Sequence, residues 1–344
     1  MTFSLIRLAS APLLAFAVVA SCFAQVELRT QTLDPELSRR TGADDGFGLV
    51  ITASADGRGS LETCGCGRQP LGGLARRVGY EKAVLELTQG GAGLVRLDAG
   101  GAFDDTVDTG RNEVIPHIRS EWVLRGYIAR DVAAINVGIT DLRYLSQMNV
   151  LQDRDARVVR FPMLDRVISA NVLPAGPGIV RFRPYIVREV QATRLGDKPV
   201  RVGIIGVCAA RPETGANLYG YRIEDPIAAL ASVLPDVRKQ SDVVVLLAYG
   251  PVERARAIAE GIAGFDAVLV ANNFLPDAEV AAMAGTTPVV PVVLQTRSLT
   301  EVRGWKQPAG GWRFVARSTL LDAVIPSDAE TLQMVYRARS DFIR

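Results

Sequence analysis

Four apolar runs constrain the fold most: Gly48 to Ala53, Val200 to Val207, Asp242 to Ala248 and Phe265 to Val270. Runs this continuous read as strands, and helical segments alternate with them. Further strands are expected at Gly93–Gly100, Val132–Gly138, Val167–Val172, Tyr185–Arg194, Val289–Gln295 and Trp312–Leu320. The segment from Asn112 to Arg130 has helical periodicity, with Ile115, Ile118, Trp122 and Tyr127 on one side. A helix starts after Asp225, whose carboxylate caps it with Pro226 at the first position, and others cover Val252–Ala263 and residues 328–343. The pattern is α/β throughout. It reads as one large domain over 48–325, preceded by a polar tether over 25–47 and closed by a C-terminal helix in 326–344.

Between the first strand and its helix lies Gly57 to Arg77, where Cys64 and Cys66 are separated by a single glycine. The glycine-rich run from Cys64 to Gly73 must be loop, and Gly72-Gly73 opens into Leu74-Ala75-Arg76-Arg77, the first turn of a helix. Loops beyond the carboxyl ends of strands are where α/β proteins place their chemistry. Gly72, Gly73, Arg76 and Arg77 form a candidate anion site: backbone N–H groups and cationic side chains at a helix start. The competing reading is that the glycines allow close packing and the arginines are solvated or paired with carboxylates.

The first 24 residues read as an export signal: Arg7 supplies the positive start, and Ala11 to Ala20 the apolar stretch, too short to span a bilayer. Val19-Ala20-Ser21-Cys22 fits a bacterial lipobox with Cys22 lipidated, and cleavage after Ala24 is the alternative. The expected location is therefore the bacterial periplasm or, as a lipoprotein, the outer membrane, with membrane contact only through an N-terminal lipid. The net charge of +2 comes from interleaved acids and bases, which gives no argument for nucleic acid. Export leaves Cys64, Cys66 and Cys208, an odd number where thiols tend to oxidise.

The succession of strand-end motifs carries a resemblance. A first strand with a Gly-Arg loop is followed by G-G-L-A-R-R, L-D-A-G-G, A-I-N-V-G-I-T-D and I-S-A-N-V, then V-G-I-I-G-V, Y-R-I-E-D-P, D-V-V-V-L-L-A-Y-G, F-D-A-V-L-V-A-N-N and V-V-L-Q-T. In this order, from about Gly48 to about Leu321, they resemble the calcineurin-like metallophosphoesterase domain of secreted 5′-nucleotidases, in a degenerate branch carrying C-G-C before G-G-L-A-R-R. The resemblance implies a four-layer α/β/β/α sandwich, two mixed sheets with helices outside. It also implies two divalent metals roughly 3.5–4 Å apart that activate a water against a phosphate ester.

The ligands that the resemblance calls for are largely missing. Its Asp-x-His falls on Ser54-Ala55-Asp56, its bridging aspartate on Gly101, and its Gly-Asn-His-Glu on Gly138-Ile139-Thr140-Asp141. Its lone histidine falls on Tyr249, and its Gly-His-x-His on Ala271-Asn272-Asn273-Phe274. The chain's one histidine, His117, sits inside a predicted helix. The remnant loops hold Asp56, Asp98, Asp141, Tyr249 and Asn272, and an all-oxygen Mg²⁺ or Ca²⁺ site from Asp56, Asp98 or Asp104, and Asp141 is the hydrolytic alternative. Tyr249 and Phe274 fill the vacated cavity or make an aromatic floor for a ligand.

Cys208 also ends a strand, so a parallel sheet brings Cys64, Cys66 and Cys208 toward one rim. Three readings follow: one thiolate-bound Cu or Zn, a strained Cys-x-Cys redox pair, or a structural disulfide from Cys208 to Cys64 or Cys66. The expected function is an exported, non-hydrolytic metallophosphoesterase-fold protein with a thiol, metal or redox site at the C-G-C loop. The alternatives are a depleted phosphoric ester hydrolase and an envelope scaffold for an electron-transfer complex. Expected partners are an envelope protein or a small anion.

Overall fold

The computed structural model describes residues 35–64, 69–106, 114–154, 162–271, 282–292 and 296–342. Asp34–Arg344 is one compact unit. In chain order its elements are α1 (Pro35–Thr41), β1 (Leu49–Ser54), α2 (Leu74–Leu87), β2 (Gly93–Asp98), α3 (Val114–Ala129), β3 (Ala134–Asn136), α4 (Leu142–Arg154), β4 (Val167–Ile168), β5 (Val172–Pro174) and β6 (Tyr185–Val190). There follow β7 (Val200–Cys208), β8 (Tyr221–Ile223), α5 (Pro226–Gln240), β9 (Val243–Tyr249), α6 (Val252–Gly261), β10 (Ala267–Ala271), β11 (Ala282–Ala284), β12 (Thr287–Pro291), β13 (Ser298–Lys306), β14 (Trp312–Leu320) and α7 (Ala329–Phe342).

Two six-stranded mixed sheets result, in the order β14-β13-β1-β2-β3-β4 and β11-β12-β10-β9-β7-β6, with β5 and β8 as a separate pair. In the first sheet β1 to β4 run parallel, β13 is antiparallel to β1, and β14 is antiparallel to β13. In the second, β7, β9, β10 and β12 are parallel, with antiparallel β6 and β11 at the edges. The sheets face each other across one core, where Leu49, Ile51, Val95 and Leu97 meet Val202, Ile204, Val245 and Leu247. This is the sandwich that the resemblance implies.

The outer faces differ. Behind the second sheet, Ile205, Val207, Val244 and Leu246 pack on Leu230, Leu234 and Val237 of α5 and on Ala255 and Ile258 of α6. Asp225 caps α5 as expected, its Oδ1 accepting from the N–H groups of Ile227 and Ala228 at 2.8 and 3.0 Å. Behind the first sheet, the contact with α2 is a buried polar network. Arg77 pairs with Glu81 at 3.1 Å, and Arg96 of β2 pairs with the same carboxylate at 2.6 Å. Thr52 donates to Glu81, and Arg77 donates to Ser54 and to the Leu97 carbonyl. Burial pushes the Glu81 pKa up, but the two guanidinium groups outweigh it and hold the carboxyl below its usual range.

The sequence reading needs correction at its margins. Residues 35–41, assigned to the tether, form α1, which is held by Arg40 to Asp322 at 2.5 Å. The single strand expected at Val167–Val172 divides into β4 and β5, which lie in different sheets. Strand β6 ends at Val190, short of Arg194, because Thr193–Leu195 turns as a 3₁₀ helix. Polar composition hid α4, and β8, β11 and β13 were not anticipated.

Candidate functional site

The carboxyl ends of β1, β2, β3, β7 and β9 meet at one rim. Asn136, the last residue of β3, ties the sheets together there: its Nδ2 donates to the carbonyls of Ala99 and Val207 at 3.1 and 3.0 Å. Asn171 does the same for the end of β7, accepting from the Cys208 N–H at 2.8 Å and donating to the Cys208 and Glu224 carbonyls. Neither asparagine stood out as functional in the sequence, because an amide at a strand end serves backbone satisfaction as readily as chemistry.

Two carboxylates at this rim, Asp141 and Asp98, are committed to the fold. Asp141 is buried, and its Oδ2 accepts from the N–H groups of Gly101 and Gly138, both at 2.8 Å, while its Oδ1 accepts from Phe103 N–H at 3.0 Å. It therefore staples the loop after β2 to the loop after β3. Burial pushes its pKa up to about 7, against the pull of the three N–H groups. Asp98 accepts from Tyr127 at 2.6 Å, from Ser54 at 2.8 Å and from Gly100 N–H at 2.9 Å. Burial raises its pKa too, opposed by these bonds and by Arg77. Asp56 has a left-handed backbone (φ 49°) and lies against Gly101.

One position rules out a side chain that the resemblance would place here, and a second packs tightly on an aromatic ring. Gly101 has φ 73°, and a Cβ on it would sit 2.5 Å from Asp56 Oδ1 and 3.0 Å from Asp56 Cα. The bridging aspartate of a two-metal centre has no room there. The Tyr249 ring lies flat enough on Gly138 that a Cβ there would approach Cε2, Cδ2 and Cζ at 2.5, 2.6 and 2.8 Å. The same ring is 2.9 Å from where a Gly100 Cβ would be. Its hydroxyl is 3.3 Å from Thr140 Oγ1, and burial holds the phenol protonated, well above its usual pKa. The Tyr249 ring is buried, 2% exposed, against these two glycines. Asn272 and Phe274 lie outside the described residues. The residues present thus do not fit a two-metal centre, and among the described residues no three His, Cys, Asp or Glu side chains converge as metal ligands would. His117 stands apart, beside Tyr144 on the α3 side.

The cysteines separate. Cys208 is buried at the rim, paired across β7 and β9 with Tyr249, and burial pushes its thiol up to about 12, so it stays protonated. Cys64 is half-buried in the loop before α2, where its N–H donates to the Leu71 carbonyl at 2.8 Å. No disulfide joins Cys64 to Cys208, so that version of the structural bridge is set aside. Cys66 lies outside the described residues.

The anion quartet separates as well. Arg77 is spent in the buried network with Glu81 and is closed to solvent, which removes it from a ligand site. Gly72 and Gly73 (φ 80° and 92°) give close packing: a Cβ on Gly72 would strike the Thr296 carbonyl oxygen at 2.5 Å, and one on Gly73 would meet Thr63 N at 3.0 Å. Arg76 stays at the surface, its Nη1 donating to the carbonyls of Pro70 and Leu321 at 2.5 and 3.1 Å.

No family model matches the chain, and no curated protein matches it. Solved structures do. A 5′-nucleotidase precursor from Thermus thermophilus superposes with TM-score 0.63 at 17% identity, over 86% of this chain and 59% of that one. The calcineurin-like phosphoesterase YfkN from Bacillus subtilis gives 0.64 at 17% identity, over 86% of this chain and 98% of that one. A sulfate thiohydrolase, SoxB, from Thermus thermophilus gives 0.61 at 15% identity, over 86% and 61%. The fold is that of the calcineurin-like phosphoesterases and 5′-nucleotidases. The chain spans about three fifths of the length of the 5′-nucleotidase precursor.

Proposed function

We propose that the chain is an exported, non-hydrolytic protein on the metallophosphoesterase fold, with its own chemistry moved to the Cys64–Cys66 loop. One observation supports the first part: Tyr249, at the position where the resemblance calls for a histidine ligand, lays its ring on Gly100 and Gly138. A hydrolase of this class needs an open metal pair with a bound water. Here Gly101 leaves no room for a bridging carboxylate, and Asp141 is bonded to three backbone N–H groups.

For the second part, support comes from the sequence and from the state of Cys208. A buried neutral thiol is a poor ligand and nucleophile, so the reading narrows from three cysteines to the pair in the loop. Paired thiolates favour Cu(I) or Zn²⁺, or a dithiol–disulfide couple that an envelope partner would address. The N-terminal export signal supports placement in the periplasm or on the outer membrane. Among the described residues, no helix is long and apolar enough to cross a membrane.

Assay of p-nitrophenyl phosphate and AMP with added Mg²⁺, Mn²⁺, Ca²⁺ or Zn²⁺ tests the non-hydrolytic part. The expected result is no turnover. Turnover that disappears in Asp56→Ala or Asp98→Ala would overturn it and restore the depleted hydrolase.

A further inference from the structure

Beside the C-G-C loop a cleft of about 240 Å³ opens between the start of α2 and α7. Thr63 and Gly72, which flank the loop, form part of its wall, and the loop's base is closed by the bond from Cys64 N–H to the Leu71 carbonyl. The floor is apolar: Leu61 and Val335 are each 4% exposed, and Leu332 is half-buried beside them. The lip carries Tyr336, which at 58% is the most exposed large hydrophobic side chain among the described residues. Two cations, Arg76 from α2 and Arg339 from α7, and one carboxylate, Glu62, face the same space, leaving its lining with a net positive charge.

Those cations are available. Among the described residues Arg76 has no carboxylate partner; its Nη1 is fixed on two carbonyls, which orients the guanidinium without neutralising it. Arg339 meets Glu62 only at 3.9 Å, with both side chains largely in water, an ion pair worth little. An apolar floor, an aromatic lip and guanidinium groups at the mouth are the parts of a small-molecule site with anionic selectivity. At the rim, by contrast, Asp141 is bonded to three backbone N–H groups, and Asp98 to Tyr127, Ser54 and the Gly100 N–H.

We infer that this cleft binds a small organic anion, a phosphonate- or carboxylate-headed molecule with an apolar body. The guanidinium of Arg76 takes the head and Arg339 adds charge. Tyr336 covers the body against Leu61, Leu332 and Val335. The site goes beyond the thiol reading and stands separately from it.

Titration calorimetry of the full chain with phenylphosphonate tests this, with benzoate as the carboxylate arm and inorganic phosphate as a head without a body. Phenylphosphonate is not a phosphate ester, so hydrolysis at the rim does not enter. The expected result is saturable binding, weaker for inorganic phosphate, and about tenfold weaker in Arg76→Met and in Tyr336→Ala. Both variants should stay folded, melting close to the parent, and Tyr249→Phe should bind like the parent. As a second readout, phenylphosphonate should slow alkylation of Cys64 by iodoacetamide, followed by mass spectrometry. The double variant Cys64→Ser, Cys66→Ser should keep the anion whatever it does to metal or redox behaviour. The inference fails if the parent binds neither phenylphosphonate nor benzoate, or if both cleft variants bind as tightly as the parent.

Discussion

The rim at the carboxyl ends of the strands and the cleft beside α2 are both rich in polar residues, and they use them in opposite ways. At the rim, Asp98, Asp141 and the two asparagines hold the fold. Asp141 accepts three backbone N–H bonds, Asn136 and Asn171 bridge strand ends, and Tyr249 lies on glycine. At the cleft, Arg76 gives one nitrogen to two carbonyls, Arg339 is only loosely paired with Glu62, and the Tyr336 ring is exposed, so much of their binding capacity is open. Polar composition at a strand end therefore does not identify a working site. What separates a scaffold from a site is whether the side chain's bonding capacity is already consumed.

Substitution separates the two regions most strongly at the rim. Asp141→Ala leaves three buried N–H groups without their acceptor and should cost about 3 kcal/mol or more in urea unfolding. A loss below about 1 kcal/mol would mean the staple is dispensable. Next comes Tyr249→Ala, expected to lose about 3 kcal/mol by opening a cavity, whereas Tyr249→Phe should lose under about 1 kcal/mol because only the Thr140 contact goes. Equal losses for the two would place the hydroxyl, not the ring, at the centre of the rim.

Proton linkage should show opposite signs in the two regions. Asp141 has its folded pKa raised to about 7, so the fold prefers it protonated and gains stability from it as pH falls from 8 toward 5. Asp328, at the start of α7, is opposite. Burial pushes it up, but Lys82, Thr331 and Arg130 outweigh this and bring it down to about 2. Its contribution is present above pH 4 and lost as pH falls toward 2. Measured by urea midpoints, the gap between parent and Asp141→Asn should widen from pH 8 to 5. The gap between parent and Asp328→Asn should shrink from pH 4 to 2. A smaller effect belongs to Arg76→Ala, expected to cost about 1 kcal/mol, since it is half-buried with two carbonyl bonds to lose but has no carboxylate partner among the described residues.

Much of the fold was legible because apolar runs mark strands. Leu49–Ser54, Val243–Tyr249 and Trp312–Leu320 form within a residue of where the pattern puts them. The polar contact of α2 with the first sheet was not legible. Arg77 looks like a surface arginine in sequence, and only the register that sets Ser54 beside Asp98 and Glu81 beneath Arg96 makes it a buried ion-pair partner. The cleft was half legible: Arg76 was marked by its place after Gly72-Gly73, whereas Tyr336 and Arg339 arrive from α7 by tertiary packing that local spacing does not encode. The lack of histidines at the rim could be read directly, whereas the packing of the Tyr249 ring on Gly100 and Gly138 could not.

The most direct test of the account is metal content together with thiol count, on the full chain purified without chelator. The account predicts no pair of hard divalent ions, a buried Cys208 thiol that reacts only on unfolding, and any Cu or Zn lost when Cys64 and Cys66 become serine. Two Mg²⁺, Mn²⁺ or Ca²⁺ ions per chain, retained in that double variant, would contradict it and reopen the rim as a phosphoesterase site.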